Sequence, residues 1–140
     1  MGLGLPGYKT KPAQSIFAEV SANSVIFTRS GNVSNAYLQL GTVVSSNTGF
    51  PVRTNNTLIT YAAIQTETGL SDTYTLSIYE WNGTTETLLL TIPVVSGNSG
   101  SNTPVTPIAV TTNNSLRAKI TSGSCKNPVV QVFFSGELAN

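Results

Sequence analysis

From residue 15 to its C-terminus the chain alternates short runs rich in Val, Ile, Thr, Tyr and Phe with clusters of Gly, Asn, Ser and Pro. β-Branched and aromatic side chains suit a pleated surface, and the intervening residues punctuate turns. No stretch repeats its apolar residues at helical spacing. The expected strands are 15–21, 24–29, 36–44, 57–67, 72–80, 85–94, 105–112, 115–121 and 128–135. So many short strands in one domain-sized chain close into a sandwich, jelly roll or barrel. The expected fold is therefore all-β: an antiparallel β-sandwich, jelly-roll-like, over residues 15–140. Residues 1–14 carry Gly2, Gly4, Pro6, Gly7 and Pro12 and read as an extended N-terminal arm.

One hairpin can be read in detail. Asn82-Gly83 separates Tyr74, Leu76 and Ile78 from Leu88, Leu90 and Ile92. A two-residue loop would set the second trio beside Thr73, Thr75 and Ser77, on the wrong face. Side-chain direction has period two, so such a slip is costly. A three- or five-residue loop, with Gly83 left-handed in a bulged turn, sets Leu76 opposite Leu88 and Tyr74 opposite Leu90.

Some strands are apolar on both faces. Leu116, Ala118 and Ile120 alternate cleanly with Arg117 and Lys119. In 128–135, however, Val130, Val132 and Phe134 on one face are backed by Val129, Gln131 and Phe133 on the other. Tyr61 and Ala63 back Leu58 and Ile64 in the same way. Burial on both faces is the usual cause. Tyr61, Val129, Gln131 and Phe133 are thus the expected subunit interface.

Charge then narrows the function. Only 7 basic and 6 acidic residues occur among 140, net +1, while Ser, Thr and Asn number 16, 20 and 13. A near-neutral chain has no footprint for a nucleic-acid backbone. No apolar run approaches the ~20 residues of a membrane helix. With no His and a single Cys there is no zinc or haem ligand set and no His-based triad. A single Asp argues against a calcium loop. No metal, cofactor, nucleic-acid partner, membrane partner or enzymatic activity is expected. The lone Cys125 reads as an incidental loop residue, although Lys126 beside it would favour a thiolate. Glu80 and Glu86 flank the hairpin and read as solubilising charges rather than a catalytic pair.

Two surface groupings remain. Leu3, Leu5 and Tyr8, with Lys9 and Lys11, would anchor the arm on a partner. Tyr79, Trp81 and Asn82 would form a glycan platform at the hairpin, with Trp81 folded over its own hairpin as the competing reading. Met1–Gly7 lack a basic start and a long apolar stretch, so no signal peptide is expected.

The segments Arg29–Gly41, Leu76–Thr84 and Leu116–Val130 carry Gly-Asn bends, a hydrophobic strand ending in Tyr-Glu, and a Ser-Gly-Ser loop before a Val-rich strand. Over roughly residues 24–138 this style resembles the small β-sandwich domains of tailed-bacteriophage virions, among them capsid decoration (cement) proteins and head-fibre or tail-fibre tips. The resemblance implies a jelly-roll-like fold, a homotrimer and a structural role on the virion, after synthesis in the host cytoplasm. It carries no catalytic residue. A short arm without a fibrous stalk points to a protein that clips onto the outer capsid surface, with the major capsid protein as partner. A receptor- or glycan-binding fibre tip is the alternative. A secreted trimeric ligand of tumour-necrosis-factor shape conflicts with the missing signal peptide.

Overall fold

The computed structural model describes residues 23–137. The expected strand 15–21 and the arm lie outside the described residues. The elements are β1 (Asn23–Thr28), β2 (Asn32–Tyr37), β3 (Gln39–Leu40), β4 (Val43–Val44), β5 (Phe50–Pro51), β6 (Asn55–Gln65), β7 (Thr68–Gly69), β8 (Thr73–Trp81), β9 (Glu86–Val95), β10 (Ser99–Asn102), β11 (Ile108–Val110), β12 (Ser115–Lys126) and β13 (Val129–Glu137). They form two antiparallel sheets. Sheet A runs β10-β6-β13-β1-β3-β4, with β11 also on β6. Sheet B runs β2-β12-β8-β9, with β5 and β7 also on β12. The fold is a jelly-roll-like β-sandwich, as expected from its strand pattern.

The core lies between the sheets. Sheet A contributes Val25, Phe27, Ile59, Ala62, Ile64, Val130, Val132 and Phe134; sheet B contributes Val33, Tyr74, Leu76, Ile78, Leu90, Ile92, Val94, Leu116, Ala118, Ile120 and Cys125. Each fully buried large side chain stabilises the sandwich by roughly 1.5–3 kcal/mol. Tyr74 is fully buried, and its hydroxyl lies 3.0 Å from Thr66 Oγ1 and donates to the Gly97 carbonyl at 3.1 Å. Burial raises its pKa.

Three expectations are corrected. The run 36–44 is not one strand. The chain leaves sheet B after Tyr37, buries Leu38 with its N–H on the Ala118 carbonyl (2.8 Å), and enters sheet A at Gln39. Residues 96–104 read as a flexible loop, yet they hold β10, paired with Ala62–Gln65. A Cβ on Gly100 would stand 3.0 Å from Ile92 and 3.1 Å from Val94, so glycine is what lets this strand lie close against β9.

The third correction is the hairpin. Its loop has four residues, 82–85, and the register is Tyr74↔Val94, Leu76↔Ile92 and Ile78↔Leu90. Parity is repaired inside the strand instead: the ladder shifts between Ile78 and Tyr79, leaving Leu89 as an extra residue in β9. Gly83 is left-handed as expected, at φ +99°. The turn closes because Asn82 Oδ1 accepts from the Thr84 and Thr85 N–H groups at 2.8 and 2.7 Å. Leu88 is consequently left exposed rather than joining the core.

Candidate interaction surface

The register of sheet A decides which side chains share its outer face. Ser24, Ile26 and Thr28 of β1 stand opposite Phe133, Gln131 and Val129 of β13. Those three in turn stand opposite Tyr61, Ala63 and Gln65 of β6. Ser101 and Ser99 of β10 extend the last two rows. The expected interface residues Tyr61, Val129, Gln131 and Phe133 are thus brought together on one surface. The Tyr61 and Phe133 rings lie 5.7 Å apart, tilted by 50°. Gln131 Nε2 donates to Ser24 Oγ at 3.0 Å. Ile26 and Val129 are about half exposed, at 51% and 45%. Between β13, β6 and β10 the face dips into an open cleft of about 340 Å³, lined by Tyr61, Ala63, Gln65, Ser99, Val129 and Gln131 among others.

Charge divides the two sheets. Across the seven strands of sheet A the one charged residue is Glu137, at the end of β13. The strands of sheet B hold Glu80, Glu86, Arg117, Lys119 and Lys126. The scarcity of charge in the chain is therefore concentrated on one side. Sequence reasoning missed Ile26, Ser99 and Ser101. The triplet Val25-Ile26-Phe27 was a signal for the first, since three consecutive apolar residues fill both faces of a strand. No such signal marks the serines.

The outer face of sheet B is braced rather than vacant. Arg117 Nη1 donates to Glu86 at 3.0 Å, and its Nη2 donates to the Ser46 carbonyl at 3.1 Å. Its guanidinium lies 4.0 Å over the Trp81 ring and 6.0 Å from that of Tyr37. The Tyr37 hydroxyl donates to the same Glu86 carboxylate. Burial and that carboxylate raise its pKa. Lys119 Nζ sits 4.9 Å over the Tyr37 ring. Of the expected glycan platform, Trp81 therefore has Arg117 on one ring face, Asn82 has its carbonyl engaged in the turn, and Tyr79 stands beside Arg117 in the ladder.

The expectation that Glu80 and Glu86 are plain solubilising charges is corrected. Glu86 belongs to the brace. Glu80 pairs with Leu116 and so lies on the core side, where its carboxylate accepts from the Thr111 N–H and from Asn114 Nδ2 at 2.8 and 2.7 Å. The two point to opposite faces and make no catalytic pair.

Cys125 is likewise no loop residue. It lies in β12, fully buried, and burial pushes its thiol up to about 11. Lys126 pairs with Glu67 at 3.3 Å and does not serve the thiol. Folded protein at pH 8 should resist thiol reagents while denatured protein reacts at once; rapid labelling of native protein would contradict this burial. A thiol raised in the fold holds its proton longer than the unfolded chain does. The stability it contributes is present below pH about 9 and is lost as pH rises toward about 11.

Leu3, Leu5, Tyr8, Lys9 and Lys11 lie outside the described residues. No group of three or more His, Cys, Asp or Glu able to hold a metal occurs among the described residues. No described helix is long and apolar enough to cross a membrane.

No protein-family model matches the chain, and no curated protein matches it. Among solved structures it is similar to the Eiger TNF of S. frugiperda, with a TM-score of 0.50 and 14% identity over 84% of this chain and 96% of that one. At that identity the likeness concerns the fold alone: this chain is a jelly-roll-like β-sandwich.

Proposed function

We propose that this protein is a structural virion component: a homotrimeric capsid decoration (cement) protein that binds the assembled phage head and stabilises it, with no catalytic activity. The observation that carries the reading is the outer face of sheet A, uncharged and half apolar, with Tyr61, Phe133, Ile26 and Val129 partly or largely open. Gln131, Gln65, Ser99 and Ser101 on that face both donate and accept hydrogen bonds, so they can satisfy copies of themselves. A face without charge brings no like-charge conflict when identical subunits converge. The resemblance to phage β-sandwich domains supplies the setting, with the major capsid protein as partner and the outer capsid surface as location.

A protein that binds only the assembled shell adds its binding free energy to shell stability. Three linked copies raise the effective affinity without any new kind of contact. Residues 1–14, with Leu3, Leu5 and Tyr8, would add anchoring by strand addition or wrapping. The fibre-tip alternative has less support, because Arg117 covers one face of Trp81 and the turn occupies Asn82.

The test is uptake by purified mature capsids. Saturable binding at fixed copy number is expected, weakened by deletion of residues 1–14 while the fold is retained. Absence of uptake, or recovery of the protein at a tail tip, would overturn the decoration reading.

A further inference from the structure

We propose that residues 16–20 of this chain close the open edge of β1 as an added antiparallel strand, with Ile16, Ala18 and Val20 entering the core. The Arg29 N–H donates to the Pro128 carbonyl at 3.3 Å, in register with the β1–β13 ladder. Hydrogen-bonding direction alternates along a strand. Val25 and Phe27 therefore turn their backbone groups toward β13, while Ser24, Ile26 and Thr28 turn theirs away. Thr28 meets Gln39 of β3 on that side. Ser24 and Ile26 meet no partner strand among the described residues. The other long edges carry devices that discourage pairing. β9 has its extra residue Leu89, Pro93, and a Thr91 carbonyl taken by Asn102 Nδ2 at 2.9 Å. β2 is interrupted by left-handed Asn35. β10 and β11 are four and three residues long, with Pro104 and Pro107 between them. β1 has six uncharged residues, no proline and an unbroken register with β13. An edge left unguarded in this company is one that is covered.

The occupant follows from where the chain outside the described residues is attached. Ala22 joins Asn23 at the start of this edge, so residues 16–20 need only a short connection to reach it, and a short loop costs little entropy to close. With Ser21-Ala22 as that connection, Val20, Ala18 and Ile16 stand opposite Asn23, Val25 and Phe27. Glu19 and Phe17 stand opposite Ser24 and Ile26. Val25 and Phe27 belong to the core, so the apolar trio shares the core side. Phe17 falls beside half-exposed Ile26 on the outer face, and Glu19 stays in water at the rim. A slip of one residue would turn Glu19 inward, which burial of an unpaired charge forbids. Ser21-Ala22 holds neither Gly nor Asn, so the turn contributes little and burial of the trio holds the strand. Residues 1–14 then leave the sandwich beside Thr28 and Gln39, which fixes the root of the arm.

Amide hydrogen exchange of the full-length chain tests this, read at Ser24 and Ile26 with Val25 and Phe27 as internal controls for the fold. All four amides should exchange slowly, at any protein concentration. Deleting residues 1–14 should change nothing, whereas deleting residues 1–21 should speed exchange at Ser24 and Ile26 at least about 100-fold and spare the two controls. Point variants keep the test open if the longer deletion fails to fold. Ala18→Asp and Val20→Asp should release Ser24 and Ile26, and Glu19→Lys should be silent. The double variant S21N/A22G should slow their exchange further, because Asn-Gly suits a two-residue loop. Fast exchange at Ser24 and Ile26 in the full-length chain would overturn the proposal. So would protection that fades on dilution, which would assign the edge to a strand from a second copy. Sensitivity to Glu19→Lys with Val20→Asp silent would overturn the assigned faces. The inference does not rest on the virion reading: failed capsid uptake would remove that reading and leave these exchange rates as they are.

Discussion

Gly123→Ala is expected to abolish soluble expression or to lower stability by roughly 4 kcal/mol. β12 is paired on both sides, with β8 and with β2, and both ladders shift register after Ile120. The shift has a purpose that parity makes visible. Leu116, Ala118 and Ile120 point into the core, and so does Cys125, five residues further on. An unbroken strand would turn Cys125 outward. The bulge around Gly123 changes the parity, and it needs a left-handed residue, φ +69°. A side chain there costs about 1–2 kcal/mol from conformation alone. The surroundings add more: a Cβ would stand 2.1 Å from the Thr73 carbonyl oxygen and 2.7 Å from Tyr74 Cα. Both are backbone atoms at the start of β8 and cannot retreat without breaking the ladder. Overpacking of this kind costs about 1–3 kcal/mol more. Gly31 and Gly83 separate the two contributions, since both are left-handed and neither has an atom within 4 Å of its Cβ position. Ala at either site should cost only about 1–2 kcal/mol. Urea unfolding of the three variants decides the matter, and a Gly123→Ala protein as stable as Gly31→Ala would refute the argument.

Period-two alternation made most of the fold legible. Leu116, Ala118 and Ile120, and Val130, Val132 and Phe134, are buried where alternation puts them. Bulges were not legible, because one extra residue leaves composition unchanged and its place is set by the partner strand. At the hairpin, accordingly, the sequence pattern alone puts the parity change in the loop, whereas Leu89 carries it. β10 was hidden for a related reason: Ser-Gly-Ser-Asn has no strand propensity, and only the free edge of β6 and the space at Gly100 make it a strand. The abundant Asn also has a conformational meaning that counting did not reveal. Asn35, Asn56, Asn113 and Asn127 all take left-handed φ, between +46° and +76°. Asn tolerates that region better than other side chains. At the candidate surface the two-faced strands announced Tyr61, Val129, Gln131 and Phe133. The cleft among them depended on β10 and could not be foreseen.

Arg117→Met should cost about 3 kcal/mol, and the comparison with another ion pair in the same sheet gives the reason. Exposed ion pairs contribute about 0–1 kcal/mol, whereas removing one partner of a buried pair costs about 3–5. The Arg117 and Glu86 side chains are 12% and 25% exposed; those of Lys126 and Glu67 are 43% and 54%. The first pair is thus close to the buried limit and the second is not. Removing the guanidinium leaves the Glu86 carboxylate with only the Tyr37 hydroxyl, strips Trp81 of its cation, and frees the Ser46 carbonyl. Lys126→Ala should leave the unfolding midpoint almost unchanged. Arg117→Lys distinguishes charge from shape. It keeps the charge but loses the planar fork that reaches Glu86 and Ser46 together while stacking on Trp81, so it should recover only a small part of the loss. A lysine variant as stable as wild type would show that charge alone suffices and would sink the argument. Added salt should not erase the difference between wild type and Arg117→Met, because a pair with so little exposure is screened far less than one on the surface.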